Sequence, residues 1–421
     1  MQRFVLGTVL IGWMASSASS SSTRAAEPGP DAPNLLRAEF DMVGAHTVDG
    51  AANGIAVVGG HAYVATPSYD PNSAPYGILR ILDIRNPERP IRYGDPMLTG
   101  FKPLLRAAGT RVYIGEGGNL RIYDASTPGN LSLLGGYSWP GDGEFPKPDT
   151  LFWMEVTGDR AWVKLWVEGL NVLDIGDPAR PRKLARADFG RESYRFHVSG
   201  SRFYLFADAQ QAGYSVLDVS DPTQPEMLGN SPASLGAIRA LQVAGTTAYT
   251  VGSAGFQVLD ISDPLQPKVV GRCEVTEGHE SLEVIGERVY LAGTHGVEAV
   301  AVGSPARPYS LGSDFRAGAI SQFAVEGDRL YLAGQRGVFI LSIRVGSPQQ
   351  FDWRSPASPV LALNRPYALQ AGVESGLPVR FRVESGPAAV VAGELWVTNL
   401  GPVTVVAEQP GDATRLPVRE T

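Results

Sequence analysis

Residues Gly255 to Pro267 read Gly-Phe-Gln-Val-Leu-Asp-Ile-Ser-Asp-Pro-Leu-Gln-Pro, and the stretch recurs. Gly77 to Pro90, Gly169 to Pro181 and Gly213 to Pro225 are close copies, and weaker ones begin at Gly118, Gly296 and Gly337. The reference aspartates are Asp83, Asp124, Asp174, Asp218 and Asp260, and Ala301 and Ser342 stand at the equivalent places in the last two copies. Successive spacings are 41, 50, 44, 42, 41 and 41 residues, a period that signifies a repeat architecture.

Each unit reads as four short strands. In the best copy these are Ala240 to Val243, Thr247 to Val251, Phe256 to Ile261 and Lys268 to Val275. Asp263-Pro264 and Pro267 form the turn before the last strand, because proline cannot donate to a ladder and aspartate favours turn starts. Strands such as Val258 to Ile261 are nearly continuously apolar, as expected of a sheet covered on both faces. A four-stranded unit of this length predicts a propeller blade. The seventh copy lacks a fourth strand, while Leu35 to Phe40 resembles Leu184 to Phe189, a fourth strand of the third copy. The expectation is therefore an all-β, seven-bladed β-propeller over residues 33–344, with an N-terminal strand closing the last blade and removing two open sheet edges.

The repeated Gly-x-x-Val-Leu-Asp-Ile-x-Asp-Pro-x-x-Pro pattern resembles the LVIVD repeat of bacterial and archaeal exported or surface proteins. That resemblance spans residues 35 to about 344 and implies propeller shape and envelope location rather than a chemistry. Blade two departs from it at Ala125-Ser126-Thr127-Pro128. Residues 345–350 read as a linker. Beyond it, alternation at Val379, Phe381 and Val383, then at Leu395 and Val397, then at Val403 and Val405, predicts a small β-sandwich over 351–421. Its turn segments resemble the Ig-like modules of bacterial surface proteins. Residues 1–26 read as a signal peptide: Arg3, an apolar run from Phe4 to Met14, then small residues. The expected destination is periplasmic, cell-surface or secreted.

Of 421 residues, 43% are hydrophobic and 19% charged, an ordinary globular balance. A net charge of -7 with no basic cluster argues against nucleic acid. No later stretch reaches the roughly 20 apolar residues of a transmembrane helix. Cys273 is the single cysteine, and His46, His61, His197, His279 and His295 show no metal-ligand spacing, so neither metal nor cofactor is expected. There is no Gly-x-Ser-x-Gly, His-Glu-x-x-His, phosphate-loop or dinucleotide motif. No catalytic residue is assigned.

The repeated aspartates are best read as turn acceptors that fix each corner. More informative is a polar column aligned on the first strands: Ala56, Arg106, Glu155, His197, Gln242, Glu283 and Ala324. Polar groups in a buried strand need partners, and an axial channel supplies them. Arg106, Glu155, His197, Arg239, Glu280 and Glu283 form the candidate ligand site at the channel mouth. The long connection between copies two and three contains Trp139 and Phe145 and is followed by Trp153, which together form a candidate contact surface. The function expected is that of a monomeric, non-enzymatic binding or scaffold protein with a protein or cell-envelope carbohydrate partner. The alternative is a propeller hydrolase or lyase working at the axial mouth, with His197 as base. A third is a structural surface-layer component.

Overall fold

The computed structural model describes residues 36–48, 51–68, 76–99, 103–127, 130–139, 151–166, 168–187, 194–207, 212–347, 351–353, 363–373, 375–399, 401–412, 415–416 and 418–420. The predicted signal segment, Phe145 and most of the long connection around it lie outside these residues.

Each repeat folds as an antiparallel four-stranded sheet with strands in chain order. In the fifth these are Ile238–Ala244, Thr247–Gly252, Gly255–Asp260 and Lys268–Cys273. Seven such sheets are present among the described residues, and no α-helix. Six are contiguous in sequence. The seventh combines Ile320–Glu326, Arg329–Gly334 and Gly337–Gly346 with the N-terminal strand Arg37–His46, so the strand missing from the last copy comes from the start of the chain. The all-β arrangement is of the β-propeller kind.

The core is divided among interfaces between consecutive sheets. Tyr204 and Val216 of the fourth sheet pack with Leu241 and Leu259 of the fifth. On the opposite face of the fifth sheet, Phe256 and Val258 pack with Val289 and Val300 of the sixth. The two-sided burial inferred from continuous apolar runs follows from this. Phe40 enters the interface between sixth and seventh sheets, and Tyr331 and Ile340 of the seventh meet Ile55 and Leu82 of the first.

The recurrent corner has a steric logic. Asp260 and Asp263 accept hydrogen bonds from the backbone N–H of Ser262 (2.9 Å) and Leu265 (3.0 Å). Asp83, Asp124, Asp174 and Asp218 do the same two residues on. The proline corner, with or without the aspartate, lies against the fourth strand of the preceding sheet. A Cβ on Gly271 would fall 2.1 Å from the Pro305 carbonyl oxygen, and one on Gly44 1.7 Å from that of Pro87. Glycine is required at these places by close approach.

The C-terminal residues form three small sheets. Phe351–Trp353 pairs with Ala371–Val373; Pro366–Ala368, Glu394–Val397 and Ala388–Val391 form a second; Arg380–Ser385, Thr404–Gln409 and Val418–Glu420 form a third.

Candidate functional site

The first strands of successive sheets contact one another around the ring, with Gly54–Val58 meeting both Leu104–Ala108 and Ile320–Glu326. Two bonds show how neighbours run. The Trp153 indole N–H donates to the Phe196 carbonyl (3.2 Å), and the Val198 N–H donates to the Glu155 carboxylate (2.9 Å). Advancing two residues on one strand advances two on the other, so these strands are parallel and begin at the same end of the ring. Their starts define the mouth.

The polar column lies on the first strands and pairs with a second column on the adjoining strands. Arg106 is opposite Tyr113, Glu155 opposite Trp162, His197 opposite Tyr204, and Glu283 opposite Tyr290. Some members serve the ring itself. Glu155 ties the third sheet to the fourth through Val198, and Gln242 ties the fifth to the sixth by accepting from the Val284 N–H (2.8 Å). His197 Nδ1 lies 3.4 Å from the same Glu155 oxygen.

Arg106 and Glu283 are different. The Arg106 guanidinium donates only to the neighbouring Leu105 carbonyl (2.8 Å) and lies over the Trp153 ring, 5.0 Å from its centroid. Burial weakens its hold on the proton, against the attraction of Glu155 and Glu283. Glu283 has no hydrogen bond or ion pair among the described residues. Burial pushes its carboxyl up to about 7, with Arg106 acting in the opposite direction. The two groups feel each other's charge without touching.

At the strand starts, Glu280 stands between two arginines, 3.3 Å from Arg195 and 3.5 Å from Arg239. Arg195 also donates to the carbonyls of Arg239 and Glu280, and its guanidinium lies 5.4 Å from the Trp153 centroid. The structure thus gathers Arg106, Glu155, His197, Arg239, Glu280 and Glu283 around one axis, with Arg195 and Trp153 among them.

The inserted-loop surface requires correction. Trp139 is 3% exposed and belongs to the core between the second and third sheets. Its indole N–H donates to the Asn171 side chain (3.1 Å), and Tyr137 packs edge-on against it. A buried indole needs such a partner, and Asn171 supplies it. Trp153 joins the axial group instead. Phe145 lies outside the described residues.

Asn171 belongs to a column that sequence reading missed. Three residues before five of the seven reference positions on the third strands stand Arg80, Asn171, Ser215, Gln257 and Glu298, all buried, while the other two places hold the exposed Arg121 and the apolar Phe339. Glu298 accepts from the Thr276 N–H (3.0 Å) and the Ser310 hydroxyl (2.7 Å), and contacts His279 Nε2 at 3.3 Å. These bonds hold its carboxyl below the ordinary value despite burial, which acts upward. The clue was a polar residue recurring within otherwise apolar strands. Cys273 nearby is half-buried, and burial pushes its thiol up to about 11, leaving it protonated.

Comparison with known families finds the LVIVD repeat at residues 49–95, 195–231 and 236–275. The chain carries LVIVD repeats. They coincide with the first, fourth and fifth sheets. Among solved structures, the computationally designed Ika8 protein is 11% identical, with a TM-score of 0.49 over 72% of this chain and 98% of its own. Sqt1 of Saccharomyces cerevisiae is 9% identical, with a TM-score of 0.48 over 74% and 99%. No curated protein matches the chain in sequence. No helix among the described residues is long and apolar enough to cross a membrane.

Proposed function

We propose that this is an exported, monomeric, non-enzymatic binding protein that takes a small polar ligand, or a polar end of a larger envelope partner, at the mouth of its axis. In this reading residues 1–26 direct export to the periplasm, cell surface or outside. Residues 33–344 form a seven-bladed LVIVD-type propeller, 345–350 a linker, and 351–421 an Ig-like module that acts as spacer or second contact.

The observation that carries it is the pair Arg106 and Glu283. Other polar side chains of the ring, such as Glu155, Gln242 and Glu298, are satisfied by neighbouring strands, and those left unbonded, such as Gln257, are sealed within the sheets rather than set on the axis. These two face the same axis, partly desolvated, with donors and acceptors unused. Leaving such groups unpaired costs stability. A ligand that accepts from Arg106 and donates to Glu283 recovers that cost.

A thermal-shift screen of the full chain tests this, using small organic acids, oligosaccharides, peptides and divalent cations. A ligand bound only to the folded state stabilises it by about 2.7 kcal/mol at a hundredfold excess over Kd. The expected hit is lost in Arg106→Gln and in Glu283→Gln. A hit indifferent to both replacements overturns the axial site.

One observation favours a second reading as an enzyme. A carboxyl poised near 7 on the same polar column as a His197–Glu155 pair is the kind of set used for general acid–base catalysis. Turnover of any bound ligand, lost in Glu283→Gln and in His197→Ala, would establish it.

A further inference from the structure

Next to the axial group stand two exposed aromatic rings. Phe152 is 37% exposed and Trp166 47%. Their centroids are 6.0 Å apart and their planes are tilted by 52°. Both lie at the mouth end of the third sheet. Phe152 precedes Trp153, so the Cα atoms are about 3.8 Å apart. Trp166 follows Leu165, which pairs with Leu151 at the start of the first strand. Other aromatic rings near this sheet, those of Trp162, Phe196 and Phe203, are buried between sheets. Phe152 and Trp166 instead hold flat apolar faces toward water beside a charged centre. Trp153 cannot serve in the same way, because Arg106 and Arg195 already lie against its ring.

Three ligand chemistries can be weighed against this surface. A lipid chain would cover the rings and leave Arg106 and Glu283 desolvated without partners. A peptide added as a strand needs a free row of backbone groups. Here Leu151–Thr157 is paired on one side with Arg160–Leu165, and the first strands of the second and fourth sheets already contact it, which leaves a peptide to be judged by titration. A sugar ring has an apolar C–H face for an aromatic platform and a hydroxyl rim for charged groups. The guanidinium of Arg106, whose one hydrogen bond is to the Leu105 carbonyl, adds a demand for an anion, since its planar fork matches a carboxylate.

We infer that the ligand is an acidic oligosaccharide. Its carboxylate pairs with Arg106, with Arg195 alongside; a hydroxyl donates to Glu283; the adjoining ring lies on Phe152 and Trp166. The inference rests on the axial binding proposed above and adds the ligand class and the second subsite.

Isothermal titration of the full chain with galacturonate, tri-galacturonate, neutral xylotriose and a short poly-glutamate peptide tests it. Tri-galacturonate should bind at least about tenfold tighter than the monomer, and xylotriose should bind more weakly by a similar factor. Phe152→Ala and Trp166→Ala should each weaken the trimer several-fold and leave the monomer unchanged. Phe152→Tyr and Trp166→Phe should retain trimer affinity, which separates loss of stacking from loss of fold. Monomer and trimer bound equally, with the alanine variants silent but Arg106→Gln deleterious, would overturn the aromatic subsite and leave the axial site standing. Equal binding of xylotriose, tighter binding of poly-glutamate, or no uronide binding at all would overturn the inference. Uronide binding untouched by Arg106→Gln would overturn the axial site as well.

Discussion

The corner carboxylates and the axial carboxyl Glu283 both recur from repeat positions, yet they stand in opposite chemical situations. Asp83, Asp124, Asp174, Asp218 and Asp260 each accept from a backbone N–H two residues on, and hydrogen bonding holds all five below the ordinary carboxylate range, Asp83 at about 2. Glu283 accepts from nothing among the described residues and is pushed up to about 7. A repeated polar residue whose bonds are all used locally serves the fold. One that burial has partly desolvated without supplying a partner is available for binding. The third-strand position adds a second contrast between carboxyls, because Glu298 is buried but saturated by His279, Thr276 and Ser310, while Gln257 at the same position is buried and unbonded yet closed off from any ligand.

The largest expected effect comes from unsaturating Glu298. His279→Ala leaves a buried carboxylate without the neighbouring imidazole, and removing one partner of a buried pair costs about 3 kcal/mol. Chemical denaturation should show this as a lower midpoint at unchanged slope. A stability within about 0.5 kcal/mol of the parent would erase the distinction between the saturated Glu298 and the unsaturated Glu283.

Glu283→Gln should act in the opposite direction. A carboxyl whose value is raised on folding favours the folded state while protonated. That contribution is complete below the ordinary 4.5 and is lost as pH rises toward about 7. The parent should therefore lose stability across this window, and the glutamine variant should not. At pH 8 the variant should be more stable by ~2 kcal/mol, allowing for screening at a partly exposed site. Denaturation at pH 4.5 and 8 checks this, and a parent with a flat profile there would show that Glu283 has a partner after all.

Gly271→Ala tests the corner by sterics rather than charge. The added Cβ would meet the Pro305 carbonyl oxygen at 2.1 Å. Backbone must shift, at a cost of roughly 1–2 kcal/mol. An unchanged melting temperature would mean that the Ser304-Pro305 corner of the sixth sheet is not seated on the fifth.

How much of this was legible in the sequence follows the range of the interactions. The sheet period, the aspartate turns and the borrowed closing strand are carried by local or strictly repeated residues, so a single chain displays them. The first-strand column was legible because a polar residue interrupts apolar neighbours at a fixed offset from Val-x-Gly. Its division into tied members, such as Glu155 and Gln242, and untied ones, Arg106 and Glu283, was not. That depends on which strand lies beside each residue. Trp139 failed for the same reason. An aromatic residue in a long connection reads as surface until Asn171, on another strand, is seen to accept its N–H. The pairing of fourth-strand glycines with the next sheet's proline corner was likewise hidden, since Gly271 and Pro305 belong to different repeats.

The smallest effect separates charge from hydrogen bonding at the corners. Asp260→Asn retains a side-chain oxygen able to accept from the Ser262 N–H, so the turn should survive and the neutral-pH melting temperature should hardly move. What disappears is a proton linkage. A carboxylate held low by the fold contributes stability that is present above its ordinary value near 4 and is lost as pH falls through its folded value. Asp260 is held low by the Ser262 hydroxyl and N–H, so the parent should weaken as pH falls below about 4, and the asparagine variant should weaken less. Replacing all five reference aspartates should flatten this acid limb while leaving the Glu283 limb between 4.5 and 7 intact, because the two sets share no partner. An acid limb that survives the fivefold replacement would place the low-pH sensitivity in buried Glu298, whose carboxyl is also held low. The corners would then be held by backbone geometry alone.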